Sequence, residues 1–289
     1  MNKDFENKKV LVTGGTGFIG SCLVRELLAL DAQVSILTRR DKQTSDLNVE
    51  FIIYDQVTII DKLKETSFDI IFHLASKVGY SHGEHEISSY IDANITLGTQ
   101  ILEYIKVYSP LTIFINTGSF WEHQNGEREV DPLNLYACTK VSFQEILSYY
   151  SKNFNIKSLT LKLFDVYSLV DTRSKLINLI IDKKELDVTD GNQFVDFVHI
   201  DDVVNAFITA TKFADSNSPK YSAASGNPIQ LKELFSFFNS HQSNRFKLNV
   251  GAKIQTMKTI KKPYSGNILP AWKTTRNVIS DIQDYIDEK

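Results

Sequence analysis

The sequence has little cysteine, no long hydrophobic run and no large excess of charge of one sign. Only two cysteines occur in 289 residues, Cys22 and Cys138, which argues against a fold built on disulfide bridges. The net charge of −3 gives no electrostatic reason to expect nucleic acid or a membrane surface as a partner. No stretch approaches the roughly 20 apolar residues that span a bilayer. The start, MNKDFENKK, lacks the apolar core of a secretion signal, so we expect a cytoplasmic protein.

Short apolar runs alternate with helical patterns over the first part of the chain. Strands are predicted at 8–12, 33–38, 50–53, 69–74, 111–116 and 158–164, and helices at 18–30, 58–65, 87–108 and 133–153. This alternation predicts an α/β fold, a Rossmann-type doubly wound parallel sheet. Later helices are predicted at 174–183, 200–213 and 230–239. We assign 1–165 to the Rossmann domain, to which 192–213 returns, and 166–289 mainly to a smaller C-terminal lobe that binds substrate.

Glycines at positions 14, 17 and 20 lie between the first predicted strand and the first predicted helix. In a strand–turn–helix unit such glycines let the backbone approach a pyrophosphate, which then lies at the positive end of the helix. A glycine-rich turn without a ligand is the alternative. The predicted dinucleotide contacts in this turn are Gly14, Thr16, Gly17, Phe18, Ile19 and Gly20.

The end of the second predicted strand indicates which dinucleotide binds. An acidic residue there would bind the ribose 2′-hydroxyl of NAD, whereas a basic residue accommodates the 2′-phosphate of NADP. The sequence has Thr38 at this position, followed by Arg39 and Arg40, and a guanidinium can pair with a phosphate through two hydrogen bonds. We therefore predict NADP(H) rather than NAD; a solvated pair of arginines is the alternative. Asp55, after the third strand, is predicted to contact the adenine, although it is also a common turn residue.

Tyr136 and Lys140 are four residues apart in a predicted helix, so their side chains share one face. A nearby ammonium stabilises a phenolate, and we expect Lys140 to lower the pKa of Tyr136 for proton transfer to or from a sugar oxygen. Lys140 can also hold the hydroxyls of the nicotinamide ribose. An exposed helical pair without function is the alternative.

A second group of polar residues, Asn116 to Trp121, follows the strand predicted at 111–116. Ligands of open α/β sheets bind at this carboxyl edge. Thr117 or Ser119 can therefore donate a hydrogen bond to a carbonyl oxygen as negative charge develops on it. Ordinary turn chemistry is the alternative, because serine, threonine, asparagine and glycine all favour turns.

Together these motifs resemble the extended short-chain dehydrogenases/reductases, the family of nucleotide-sugar epimerases, dehydratases and reductases. Four further segments are similar to family motifs and follow in the family's order: F-H-L-A-S at 72–76, N-I-T-L-G-T at 94–99, L-F-D-V-Y at 163–167 and D-F-V-H-I-D-D-V at 196–203. The resemblance runs from about residue 8 to 213. Within the family, N-T-G-S-F-W and D-T-R-S-K-L are similar to the CDP-abequose and CDP-paratose synthase type of 4-ketoreductase.

The resemblance implies roles for individual residues. Tyr136 would be the acid/base and Lys140 its modulator. The family's catalytic hydroxyl stands four residues before an aromatic, a place that Thr117 takes relative to Trp121. Besides Tyr136 and Lys140, the resemblance implies cofactor contacts from Leu74, Ala75, Ser76, Asn94 and Val166. It implies substrate contacts from Ser119, Phe120 and Asp165, and no metal.

Three departures from the family pattern narrow the reaction. Gly118 and Ser119 replace the Asp-Glu pair with which family dehydratases eliminate water, which argues against a dehydratase. Val195 stands where the family has an arginine for the substrate diphosphate. Arg173, Lys175, Lys273 and Arg276 are the candidates to replace that arginine; we favour Arg173 and also assign Lys175 to the substrate. Asp165 replaces the family's asparagine.

The predicted function is NADPH-dependent reduction, at C4, of a nucleotide-linked 4-keto-6-deoxy or 3,6-dideoxy hexose for surface-polysaccharide synthesis. One alternative is a nucleotide-sugar epimerase with a retained NAD(P). A non-catalytic NADP-sensing or scaffold protein is another. Helices 87–108 and 133–153 can pair with a second copy of the chain as a four-helix bundle, or pack only on the sheet.

Overall fold

A computed structural model describes residues 4–39, 48–55, 58–170, 173, 175–241, 245–254 and 259–288. The strands are β1 (Lys9–Thr13), β2 (Gln33–Thr38), β3 (Glu50–Ile53), β4 (Ile70–His73), β5 (Ile113–Ser119), β6 (Ser158–Leu163), β7 (Asp165–Tyr167), β8 (Glu185–Val188), β9 (Phe194–Val195), β10 (Phe197–His199), β11 (Lys220–Ala223), β12 (Ile229–Gln230) and β13 (Lys247–Val250). The helices are α1 (Phe18–Ala29), α2 (Ile59–Leu63), α3 (Ile87–Ile91), α4 (Leu97–Tyr108), α5 (Leu135–Phe154), α6 (Leu176–Lys183), α7 (Ile200–Ala210), α8 (Leu231–Ser240) and α9 (Val278–Asp287).

Within these residues, seven parallel strands form the central sheet in the order β11-β6-β5-β4-β1-β2-β3. In its centre, Val10 of β1 lies opposite Val34 on one side and Ile70 on the other. These central strands are continuous apolar runs because helices cover both faces of the sheet. The predicted α/β fold with a doubly wound parallel sheet is confirmed.

Two apolar clusters flank the sheet. One contains α1 and α7, which pack against each other, and the other contains α4 and α5. The first cluster also receives Leu269 and Trp272 from the C-terminal part of the chain. A third cluster, centred on α8 and its buried Phe235, forms a smaller lobe with α6 and α9. The sheet's carboxyl edge faces the groove beside this lobe.

Three features differ from the sequence-based expectation. Strand β5 continues to Ser119, so Thr117 lies in the strand rather than in a turn after it. The predicted helix 87–108 is interrupted by a π-helical turn, Asp92–Thr96, between α3 and α4. Strand β11 was not predicted; its four residues pair with β6 at the edge of the sheet, and a run this short carries little periodicity.

Cys22 and Cys138 are both free thiols, the first partly buried and the second exposed. In the described part of the chain, no helix combines the length and the hydrophobicity needed to cross a membrane.

Candidate functional site

The glycine turn between β1 and α1 is packed too tightly for larger residues. Gly14 has a φ of +71°, and a Cβ on it would lie 2.8 Å from the amide nitrogen of Ala75. A Cβ on Gly20 would lie 2.2 Å from the carbonyl oxygen of Gly14. Gly17, the N-cap of α1, provides no side-chain hydrogen bond to the first turn, which leaves main-chain N–H groups for a ligand. This arrangement fits a dinucleotide pyrophosphate.

A cavity of about 420 Å³, here called the Arg39 cavity, adjoins this turn; its lining includes Arg39, Tyr54, Ala75 and Ser76. Thr38 ends β2 beside it, and Arg40 lies outside the described residues. Asp55 accepts hydrogen bonds from the N–H and the hydroxyl of Thr58, at 2.9 Å each. It therefore acts as a turn residue here, and its contact with adenine stays a prediction.

Asn94, which lies in the π-helical turn, connects two parts of the site. Its Oδ1 accepts from the Ser76 hydroxyl at 3.0 Å and from the Lys77 N–H at 2.8 Å. Its Nδ2 donates to the Lys77 carbonyl at 3.0 Å and to Thr139 Oγ1 at 2.8 Å. Both amide protons are thus directed at protein atoms. The side chain joins the segment after β4 to α5, between Tyr136 and Lys140.

Tyr136 and Lys140 lie in the first two turns of α5, which is capped by Asn134 through the N–H of Ala137 at 3.0 Å. Both side chains are buried. Burial raises the pKa of Tyr136 to about 12, against an opposing effect of hydrogen bonding to Ser119 and Ser76. Burial lowers the pKa of Lys140 to about 8, against the attraction of Glu122.

The expectation that the pKa of Tyr136 is lowered is therefore wrong. Burial penalises the phenolate more strongly than its neighbours stabilise it. The phenol of Tyr136 is consequently protonated at neutral pH, the form that an acid needs.

The two candidate hydroxyls of β5 have different partners. Thr117 Oγ1 donates to the carbonyl oxygen of His73 at 3.0 Å. Ser119 Oγ accepts from the N–H of Trp121 at 3.2 Å. Both residues are almost fully buried, and of the two, Ser119 is the one whose hydrogen bonding opposes the raised pKa of Tyr136.

Glu122 was not among the site residues predicted from the sequence, although the pattern Ser119-x-x-Glu122 is a capping-box signal. Glu122 is only 1% exposed, and its Oε1 accepts from the Ser119 N–H at 2.8 Å and from Gln144 Nε2 at 2.7 Å. Its Oε2 lies 3.0 Å from Lys162 Nζ, which also lies 2.6 Å from His123 Nε2. We call these residues the Glu122 network.

A larger cavity of about 490 Å³, the interlobe cavity, lies between the sheet edge and the smaller lobe. Among its lining residues are Tyr80, Phe120, Trp121, Asp165, Val166, Lys175, Val195 and Lys253. It thus contains three of the predicted substrate residues and Lys253, which the sequence analysis did not identify. Burial and Asp196 raise the pKa of Asp165, Lys175 opposes them, and the result is about 6.

Arg173 lies elsewhere, with Thr16, Gly17 and Phe18 in a third cavity of about 840 Å³, the Phe18 cavity. Its guanidinium carbon is 3.7 Å from the centre of the Phe18 ring, and its Nη2 donates to the Val166 carbonyl at 3.4 Å. Arg276 also lines this cavity and pairs with Asp281 at 3.1 Å.

Two further predicted cofactor residues, Ile19 and Leu74, make contacts within the protein. Ile19 packs against the sheet core, and the Leu74 N–H donates to the main-chain oxygen of Thr13 at 3.2 Å.

Tyr136 lies next to residues that line two different cavities. On one side it interacts with Ser76, which lines the Arg39 cavity. On the other side its ring packs edge-on against Trp121, with ring centres 5.7 Å apart, and Trp121 lines the interlobe cavity. A protonated phenol and a buried ammonium at this junction can serve proton transfer between groups bound on the two sides.

Comparisons with known proteins agree with this geometry. The family model described as the NAD dependent epimerase/dehydratase family matches residues 10–224. The CDP-abequose synthase of Yersinia pseudotuberculosis is 29% identical over 251 residues, which cover 84% of this chain and 88% of the relative. That of Salmonella muenchen is 29% identical over 255 residues, which cover 85% of each.

Solved structures share the fold over nearly the whole chain. MoeE5 in complex with UDP-glucuronic acid and NAD superposes with a TM-score of 0.81 at 19% identity, covering 97% of this chain and 99% of MoeE5. The UDP-glucose 4-epimerase of Thermotoga maritima superposes with a TM-score of 0.80 at 19% identity and the same coverage. With its glycine turn, its parallel sheet and the match over residues 10–224, the chain belongs to the NAD dependent epimerase/dehydratase family.

Proposed function

We propose that the protein reduces the C4 ketone of a nucleotide-linked 4-keto-6-deoxy or 3,6-dideoxy hexose with NADPH. The observation that carries the proposal is the position of Tyr136 between Ser76, which lines the Arg39 cavity, and Trp121, which lines the interlobe cavity. A phenol placed there would lie between a cofactor bound on one side and a sugar bound on the other.

The chain's own residues supply positioning and a proton. The glycine turn, Arg39, Ala75 and Ser76 would hold the cofactor, whose nicotinamide supplies the hydride. Tyr136, whose pKa burial raises to about 12 so that the phenol stays protonated even at alkaline pH, would give its proton to the C4 oxygen. Lys140 would stabilise the phenolate that remains and hold the ribose. A hydroxyl at the end of β5, from Thr117 as the family match implies or from Ser119, would polarise the C4 oxygen.

The choice of NADPH over NADH rests on charge. Thr38 introduces no carboxylate that would repel a 2′-phosphate, and Arg39 lines the adjoining cavity. A reductase consumes an exchangeable cofactor, which suits NADPH. The structural relative MoeE5 is described with NAD, so the assay must compare both cofactors.

The choice of a nucleotide sugar rests on the relatives and on the cavity. Those in Yersinia pseudotuberculosis and Salmonella muenchen carry the name CDP-abequose synthase. Lys175 and Lys253 both line the interlobe cavity and would replace the family's diphosphate-binding arginine, whose place Val195 takes. Gly118 stands where a dehydratase needs a carboxylate, which favours reduction over elimination of water.

The test follows the near-ultraviolet absorbance of NADPH, then of NADH, with CDP- and dTDP-linked 4-keto-6-deoxyglucose and their 3-deoxy forms. We expect substrate-dependent loss of NADPH, and Tyr136→Phe should lower kcat by about 10²- to 10⁴-fold. Circular dichroism of the variant serves as the control for folding. Full activity of Tyr136→Phe would contradict the acid/base role.

An epimerase is the second candidate, because the Thermotoga maritima structural relative is a UDP-glucose 4-epimerase. In that case the sugar changes configuration without net consumption of cofactor, and NMR of the product distinguishes the two reactions. A non-catalytic protein would show neither change.

We also propose a homodimer formed by α4 and α5. Val107 of α4 is 58% exposed and Tyr149 of α5 is 55% exposed. A second copy of the chain would cover this exposed apolar surface. Light scattering of a dimer at micromolar concentration is expected, and a monomer would contradict the proposal.

A further inference from the structure

Thr117 and Ser119, the two hydroxyls at the end of β5, use their protons differently. Thr117 Oγ1 lies 3.0 Å from the main-chain oxygen of His73. A carbonyl oxygen can only accept, so Thr117 must be the donor, and its single hydroxyl proton is engaged. In this arrangement Thr117 can accept another hydrogen bond but has no proton to place on a substrate oxygen.

Ser119 has the opposite role. Its Oγ accepts from the N–H of Trp121 at 3.2 Å, as the N-cap of the short helical turn Phe120–Glu122. An accepting hydroxyl keeps its own proton for another partner. The Tyr136 phenol interacts with Ser119, and its ring packs on Trp121. The proton of Ser119 is therefore directed at the Tyr136 oxygen rather than at the main chain, and it can turn to a substrate oxygen that meets Tyr136.

Glu122 fixes this orientation through the main chain. Its Oε1 accepts from the Ser119 N–H at 2.8 Å and completes the capping box with the Ser119 hydroxyl. A carboxylate this deeply buried must be paired and hydrogen-bonded. Lys162, 3.0 Å away, and Gln144, 2.7 Å away, meet that need.

We propose that Ser119 is the hydroxyl that donates to the reacting carbonyl oxygen, and that Glu122 is a positioning residue that holds Ser119 in this orientation. The inference rests on the proposed ketoreduction. When hydride adds to C4, the C=O double bond becomes a single bond, and the oxygen takes the proton of Tyr136. Ser119 keeps its proton and stabilises the negative charge that develops on that oxygen.

The first test compares Ser119→Ala with Thr117→Val, and uses Ser119→Thr as the conservative variant. Loss of one oxyanion donor typically costs about 10²- to 10³-fold in kcat. We expect this loss in S119A, with a much smaller change in the KM for the nucleotide sugar, and at least partial recovery in S119T. The loss of kcat in T117V should be at least about tenfold smaller than the loss in S119A, because the hydroxyl proton of Thr117 is already engaged. Equal losses in the two variants, or full activity of S119A, would overturn the proposal.

A readout without substrate separates this inference from the proposed function. The carbon-13 resonance of Tyr136 Cζ can be assigned by its disappearance in Y136F. S119A is expected to move it, because it removes a hydroxyl beside the phenol, and T117V to leave it in place. The reverse pattern would contradict the role of Ser119 whatever reaction the wild-type protein catalyses. Failure of the proposed function would instead appear as wild-type protein that consumes no NADPH.

A double-mutant cycle tests Glu122. If Glu122 acts through Ser119, then E122A lowers kcat in the wild-type background but has little further effect in S119A. Additive losses would overturn the positioning role, because they would mean that Glu122 acts through stability or through Lys140. The double variant E122Q/K162M keeps an oxygen acceptor for the Ser119 N–H while removing both buried charges. It is expected to retain more activity than E122A, and equal loss would contradict the capping-box argument.

Discussion

The central carbon of the Arg173 guanidinium lies 3.7 Å from the centre of the Phe18 ring. Phe18 is the first residue of α1 and follows Gly17 of the glycine turn. This cation–π contact places a positive charge where the fold is expected to bind phosphates of the cofactor. Arg173 thus lies with the glycine turn in the Phe18 cavity, whereas Lys175 lines the interlobe cavity.

Arg173→Ala is therefore expected to raise the KM for NADPH about tenfold, a loss of ~1.4 kcal/mol, with a smaller effect on the KM for the nucleotide sugar. Lys175→Met provides the matched control, because it should raise the KM for the nucleotide sugar more than the KM for NADPH. Steady-state kinetics with each substrate varied in turn measures both. A larger effect of R173A on the nucleotide sugar would favour the substrate role that the family pattern suggested.

Thr38→Asp should shift the cofactor preference from NADPH towards NADH. A carboxylate at the end of β2 repels a 2′-phosphate and can bind a ribose 2′-hydroxyl. We expect the ratio of kcat/KM for NADPH to that for NADH to fall at least about tenfold, ~1.4 kcal/mol. Thr38→Asn is the uncharged control and should have a smaller effect. An unchanged ratio in T38D would mean that this position does not face the ribose.

The pH dependence of the rate should reflect Lys140. Burial lowers its pKa to about 8, so the ammonium form predominates below this pH and is lost above it. The reductase rate is expected to fall as the pH rises through about 8, because neutral Lys140 no longer stabilises the phenolate. Lys140→Arg stays charged over this range and should remove the alkaline limb, even if its maximal rate is lower. A limb that persists in K140R would point to another group.

Asp202 should contribute strongly to stability because it anchors the C-terminal part of the chain. It is buried and accepts hydrogen bonds from the Thr275 N–H, the Thr275 hydroxyl and the Arg276 N–H at 2.7–3.2 Å. Asp202→Ala is expected to lower the free energy of unfolding by about 2–4 kcal/mol, since several hydrogen bonds to one buried, charged acceptor are lost together.

The neighbouring Asp201→Ala is the control for this prediction. The Asp201 side chain is 70% exposed, and exposed substitutions usually change stability by less than about 0.5 kcal/mol. Urea denaturation compares the two variants, with an unchanged m-value as the check for two-state unfolding. Equal destabilisation by D201A and D202A would contradict the anchoring role.

Local sequence patterns were sufficient to predict the type of fold. The glycine turn, the apolar strands and the Tyr136–Lys140 spacing depend on residues close together in the chain. These patterns predicted the parallel sheet and placed Tyr136 and Lys140 on the same helix. The edge strand β11 was not predicted because it has only four residues and pairs with β6 from about 60 positions away in the sequence.

The orientation of the site was decided by tertiary contacts. Whether Thr117 has a proton to donate to a substrate depends on the carbonyl of His73, 44 residues away in sequence. The direction in which the pKa of Tyr136 shifts depends on burial, which the spacing of Tyr136 and Lys140 in the sequence does not reveal. The charge of Glu122 is tolerated because Lys162, from another strand, lies 3.0 Å away. The sequence alone determined which chemical groups reach the sheet edge; only the packing of distant segments determined which proton each group donates, because desolvation and hydrogen-bond direction are properties of neighbours in space.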